Sequence, residues 1–398
     1  MTAGTLTLDP EATQGSGTPP FRARSLGEFL ITGGATLLLI PFAYFFQKSA
    51  GLDQSEYLVS FAAFYAAYVI NDPHFAVSYL LFYKNVGKRL SGVEFTGAQR
   101  IRYIVSGFVV PAILVAWIAS ALLAQSAAIL GAMIQLMFFL VGWHYVKQGF
   151  GVLAVLSSRR GVFFSALERK LVLAHCFFGW AYAWSSPREM GGTYEESGVV
   201  YTALSHPAGL LETTRVLFFG SILGLVWIAF DRIKNRKPLP PLAATCGLFM
   251  SVWLWTVYSG FDPLIAYVIP GLHSLQYWYF VYLLKKNEAR SEFEQGTITE
   301  GLPARLARTF GPVWGRLGLF FATTVALAWL FFNGIPSFLD DTVVATTATM
   351  GQDPDVSTVG LGATPYVAAF ATFINIHHYF MDHVIWRREN PDTRHLKS

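Results

Sequence analysis

The sequence predicts an all-α fold, a polytopic transmembrane bundle of about ten helices with both termini in the cytoplasm, from length, composition and charge placement. Of 398 residues 53% are hydrophobic and only 14% charged, against about 25% charged in a typical soluble domain. The apolar residues are gathered into runs near 29–47, 57–83, 101–124, 127–157, 167–184, 213–231, 242–260, 263–284, 315–334 and 364–386. Each is about as long as, or longer than, the roughly 20 residues that a helix needs to cross a bilayer core. Most Lys and Arg fall in alternate loops, such as Arg159, Arg160, Arg169 and Lys170 between the fourth and fifth runs. The intervening loops hold Lys48, Arg188 and Arg215 with acids such as Glu195, Glu196, Asp340, Asp341, Asp353 and Asp355. Since cytoplasmic loops carry the excess of Lys and Arg, this alternation assigns the sides.

The element order follows from the same pattern. Residues 1–25 are expected to be a disordered cytoplasmic tail, because they lack the basic n-region and the apolar h-region of a signal peptide. Residues 26–388 form a single transmembrane bundle, and 389–398 a cytoplasmic C-terminal tail. The second and fourth runs are long enough to tilt or kink. Asp72-Pro73 in the second suggests an N-cap and first residue of a restarted helix, and Pro270-Gly271 a break in the eighth. The loop from Pro187 to Glu212, with Glu195, Glu196 and His206, is expected to be a solvated lid on the outer side. Cys176 and Cys246, the only cysteines, exclude a disulfide framework or a thiolate zinc site. A net charge of +4, dispersed along the chain, argues against nucleic acid.

Polar residues inside the runs carry the functional signal. Ionisable groups in a span are costly and by default functional. His74, His144, His175, His273, His377, His378 and His383 lie in the runs. At about 1.5 Å per residue, most sit about 12–20 Å from the cytoplasmic boundary. One such histidine more often ties two helices together than binds a ligand; five helices contributing at one level reverse that preference. His378 and Asp382 are four residues apart and share a helix face, with Asn375 close to the same face. His377 is about 100° round and reaches that centre only from its edge. His383 reads as a helix-end residue. Asp72 is equally a cap or an acid at the site. His144 and Gln148 pair at i, i+4, and His273 is followed by Gln276 and Tyr277.

Imidazole and carboxylate without thiolate suit iron, zinc, copper or manganese, and two histidines with one carboxylate is a common ferrous arrangement. The expected ligands are His74, His144, His175, His273, His377, His378 and Asp382, one or two ions being held. Asp72 and Asp382 are the candidate catalytic acids, with Gln148, Gln276 and Asn375 orienting the ligands. The segment His377-His378-Tyr379-Phe380-Met381-Asp382-His383-Val384-Ile385-Trp386 resembles one found in uncharacterised bacterial multispan proteins. The general plan is similar to membrane non-haem iron enzymes, the fatty acid desaturase and hydroxylase group and the bacterial carotene-cleaving dioxygenases. It departs from both, lacking an HxxxH or HxxHH box and showing Pro73-His74-Phe75 where the carotene-cleaving group has Pro-His-Gly. The resemblance implies metal-based redox chemistry and identifies no substrate. The residues themselves lead to the expectation of an intramembrane non-haem iron oxidoreductase in the bacterial inner membrane, acting on a lipid or isoprenoid with an electron donor. Haem b between two of the histidines and a proton-coupled transporter are the alternatives.

Overall fold

The computed structural model describes residues 21–185, 191–260, 263–295, 305–306, 309–311, 313–344 and 361–396. Most of the expected N-terminal tail, residues 1–20, and the acids Asp353 and Asp355 lie outside the described residues. Each of the ten apolar runs falls on a helix. In chain order these are α1 (21–34), α2 (Thr36–Ala50), α3 (52–82), α4 (Val86–Ser91), α5 (Gly97–Leu123) and α6 (Ala127–Ser158). After α7 (Ala166–Ser185) come strands β1 (Thr193–Glu196) and β2 (Val199–Thr202). Then follow α8 (Leu210–Lys234), α9 (Leu242–Val257), α10 (Pro263–Glu294), α11 (Trp314–Val344) and α12 (Pro365–Ile385). Four of them, α5, α6, α8 and α11, are single helices long and apolar enough to cross a membrane. The bent pair α1–α2, meeting at 59°, makes a fifth if counted as one span.

Burial runs opposite to that of a soluble protein. Leu38 is 65% exposed, Phe45 64% and Leu223 74%, whereas Ser78, Gln276 and His378 are fully buried. Large apolar side chains on the outside over so much of the surface require a non-aqueous surround. The buried polar groups can be kept only where other protein groups satisfy them. α3, α6, α10 and α12 form the inner group: α12 packs on α3 and α6, and α10 on α3 and α1. α7, α8, α5 and α11 lie outside it.

Several helices carry a π turn, at 67–71 in α3, 105–109 in α5, 250–257 in α9 and 330–334 in α11. Such turns widen the helix locally, and they are frequent at functional sites. In α3 the turn immediately precedes Asp72, and helical dihedrals continue through Asn71 and Asp72 with no side-chain cap. The expected restart at Asp72-Pro73 is therefore a π turn in a continuous helix. α10 likewise runs through Pro270 without a break. The one sharp backbone device near the site is Gly33, at φ 143°. A Cβ there would sit 3.2 Å from the Gly247 backbone, so α1 and α9 meet closely at small residues.

The ends are folded more than the sequence suggested. Residues 21–25, expected in the disordered tail, begin α1. Pro391–Leu396 is a 3-10 turn with Leu396 buried. Buried Arg89 fastens it, donating to the Leu81 and Phe82 carbonyls at 3.1 and 2.6 Å and to Asp392 at 2.6 Å. On the other side β1 and β2 form a hairpin whose Val199 and Tyr201 are buried with Leu130 and Ala368. It is a packed cover, not a solvated lid. Asp340 accepts the Tyr366 and Val367 N–H groups at 2.9 and 3.0 Å, which ties the end of α11 to the first turn of α12.

Near the C-terminal end of α10, Glu288 binds Lys84 and, at 2.9 Å, Lys285. Burial alone would push its carboxyl up, but the two ammonium groups outweigh this and hold it at about 2, below the ordinary 4.5. A carboxyl depressed on folding stabilises the fold above its unfolded pKa, and that contribution is lost as pH falls through its folded pKa. The window here runs from about 4.5 down to about 2. Glu288→Gln is expected to flatten the loss of stability across it, as measured by thermal unfolding at a series of pH values.

Candidate metal centre

Four imidazoles and one carboxylate converge in the inner helices: His74 from α3, His144 from α6, His273 from α10, and His378 with Asp382 from α12. A ring nitrogen from each of His74, His273 and His378 lies within 4.8 Å of the other two, and the same holds for His144, His378 and a carboxylate oxygen of Asp382. His378 belongs to both groups. All five residues are buried. The His144 and His273 Nε2 atoms are 3.2 Å apart, within hydrogen-bonding distance of each other.

Hydrogen bonds around the centre fix which atoms face inward. His378 Nδ1 is 2.8 Å from Ser78 Oγ, and Ser78 donates to Asp382 Oδ1 at 2.7 Å. Tyr277 also donates to Asp382 Oδ1, at 3.1 Å. With His378 Nδ1–H donating to Ser78, the chain of donors is complete and His378 Nε2 carries a free lone pair. Asp382 Oδ2 is then left on the inner side, 3.6 Å from that Nε2. His74 Nδ1 contacts the Asn71 carbonyl and lies 3.0 Å from Ser274 Oγ, which turns its Nε2 inward too. Among the described residues His74 Nε2, His273 Nδ1 and His378 Nε2 have no hydrogen-bond partner. Buried polar atoms are rarely left so. Three together, in a donor set of imidazole and carboxylate, fit a bound metal ion.

The amides support the ligands from behind. Gln148 donates to the His273 carbonyl at 3.1 Å and to Gln276 Oε1 at 2.8 Å, and Gln276 donates to the Thr32 carbonyl at 2.6 Å. Asn375 acts one residue removed: its Oδ1 accepts from Tyr379 at 2.9 Å, and the Tyr379 ring packs on His144 with centroids 4.7 Å apart.

Three expected residues stand elsewhere. His175 uses both nitrogens, with Ser221 Oγ at 2.8 Å and Trp253 Nε1–H at 3.1 Å, and stacks on Phe218. It joins α7, α8 and α9 and belongs to neither ligand group. His377 is likewise engaged, with Tyr79 OH and the Ser106 carbonyl, each at 3.1 Å. Its rotation from His378 faces it to α3 and α5. Asp72 bonds only the Asn71 side chain, at 3.3 Å, and is in neither ligand group. Ser78, Tyr277 and Ser274 were not among the expected site residues. Ser78 was visible four residues after His74, but its bridging of His378 and Asp382 depends on how α3 packs against α12.

A cavity of about 660 Å³ reaches this centre. His144, Gln148, Tyr277, Tyr379 and Asp382 line its inner part, and Arg159, Arg169, Arg387 and Arg388 also line it. No protein family model, curated protein or solved structure matches the chain.

Ser78→Ala removes one partner each from His378 and Asp382. Metal affinity is expected to fall by about 10–100-fold, the usual effect of losing an outer partner, in a competition titration against a chelator.

Proposed function

We propose that this chain is an intramembrane non-haem iron oxidoreductase acting on a lipid or isoprenoid substrate. The observation that carries the reading is the set of three orphaned imidazole nitrogens beside His144 and Asp382, at the inner end of a large cavity. His74, His273 and His378, with His144 and Asp382, would hold the metal. Iron bound by histidines and one carboxylate, with coordination positions left open, supplies oxygen chemistry. The protein holds His378 and Asp382 in one orientation through Ser78 and Tyr277. In this reading all ten apolar runs cross the bacterial inner membrane, and both termini are cytoplasmic.

Haem b fits the geometry less well. Two axial imidazoles stand about 4 Å apart, nitrogen to nitrogen, given metal–nitrogen bonds of about 2 Å, with a macrocycle between them. His144 and His273 are closer than that. The rings pack directly on one another, with centroids 4.8 to 5.2 Å apart.

Elemental analysis of detergent-purified protein, with an absorption spectrum of the same sample, tests the reading. About one or two irons per chain and no Soret band is the expected result. Absence of stoichiometric metal after anaerobic iron loading would overturn it and turn the histidines into a proton or transport pathway.

A further inference from the structure

The cavity has a polarity of its own. Its inner end is polar, with His144, Lys147, Gln148 and Asp382; Phe150, Leu153, Val172 and Phe280 make an apolar stretch, and Arg159, Arg169, Arg387 and Arg388 gather at the other end. Its volume lies within the roughly 300–1,000 Å³ of small-molecule sites. Basic residues at the cytoplasmic ends of spans need no ligand to account for them. These differ in lining one cavity, which Glu389 also lines, and in that three of the four have no acidic partner among the described residues. Among the described residues Arg159, Arg169 and Arg388 enter no ion pair, and Arg387 meets only Glu389, at 3.5 Å. Glu389 is shared with Arg102. Arg159 Nη1 is buried and without a hydrogen-bond partner among the described residues. A guanidinium presents a planar fork that suits carboxylate or phosphate.

We infer that the cavity binds a single-chain amphiphile with an anionic head group, the head among these arginines and the chain directed toward His144 and Asp382. Arg159 and His144 are fifteen residues apart on α6, about 22 Å along the axis, which is the reach of an extended chain of roughly sixteen carbons. The four arginines set the direction, because a guanidinium fork suits an anionic head and the apolar stretch beyond suits the chain. The assignment deepens the oxidoreductase reading by naming its substrate class, and it places a chain segment, not the head, beside the metal ligands.

Binding of hexadecanoate, hexadecyl phosphate and hexadecanol to the full chain, measured by native mass spectrometry after chelation, tests this apart from the metal. Both anions are expected to bind about tenfold or more tighter than the alcohol, in line with charge-assisted hydrogen bonds. The preference should be largely lost in the pair Arg159→Gln with Arg388→Gln. It should be reduced in Arg169→Gln, an exposed side chain whose loss does not threaten folding. Butyrate and inorganic phosphate should fail to displace the long chains. Equal binding of anions and alcohol, full preference in both variants, or displacement by butyrate or phosphate would overturn the inference. Metal-free protein that keeps the preference would leave the inference standing even if the iron reading failed. Metal-loaded protein without the preference would leave the iron reading and remove this one.

Discussion

Purified His378→Ala is expected to emerge without metal, because His378 is the residue common to both ligand groups. The loss of affinity should exceed the roughly 10–100-fold that follows removal of an outer partner. Asp382→Ala should behave similarly, since Asp382 supplies the only carboxylate in either group. Controls come from the same sequence. His377 is the immediate neighbour of His378, yet both its nitrogens are bonded to Tyr79 and the Ser106 carbonyl. His175 is held by Ser221 and Trp253. His377→Ala and His175→Ala should therefore keep their metal while losing some thermal stability. Metal content by plasma mass spectrometry on monodisperse samples reads all four variants. Retention in His378→Ala and Asp382→Ala together would remove the proposed centre.

The second large effect concerns stability. Arg232, 2% exposed, binds both Glu168 oxygens at 2.6 and 3.1 Å, and donates to the Pro238 and Phe163 carbonyls at 2.6 and 2.8 Å. Phe164 covers the guanidinium, 4.6 Å from its ring centre. The cluster joins the start of α7 to the end of α8 and closes the turn leading to α9. Arg232→Ala leaves Glu168 a buried charge and frees two carbonyls. It should destabilise by about 3–5 kcal/mol, the usual cost of breaking a buried pair from one side. Replacing both partners, Arg232→Met with Glu168→Leu, should recover much of that loss, because a buried pair and an apolar pair of like volume are often near equal. Unfolding in detergent by heat or denaturant measures both. Equal destabilisation in the single and double variants would assign the effect to the lost carbonyl contacts instead of the unpaired charge.

How far the candidate site could be read in advance depended on helical phase. The His378–Asp382 pair needs only the four-residue spacing of one helix, and the geometry places those two side by side. His144–Gln148 and His273–Gln276 follow from the same periodicity. Depth along each helix correctly put His74, His144, His273 and His378 at one level. It also put His175 there, and depth does not specify azimuth around the bundle. α7 packs on α6 and α8, away from α3 and α12, so its histidine meets Ser221 and Trp253. Asp72 is no helix cap, for a local reason. An Asp before a Pro is the usual start of a helix, but the π turn carries α3 through it and leaves the carboxylate outside the ligand groups.

Composition and periodicity by themselves determined that the chain is helical, that its apolar runs are the helices, and that polar side chains lie within them. Those properties are set by local spacing and by the cost of exposing polar groups to lipid. Tertiary structure alone decided which histidines meet, since convergence depends on helix rotation and on close approaches such as Gly33 to Gly247. It also decided that Ser78 bridges His378 and Asp382 across about 300 residues of sequence. Likewise, four arginines from separate segments face one cavity only because α6, α7 and α12 end side by side.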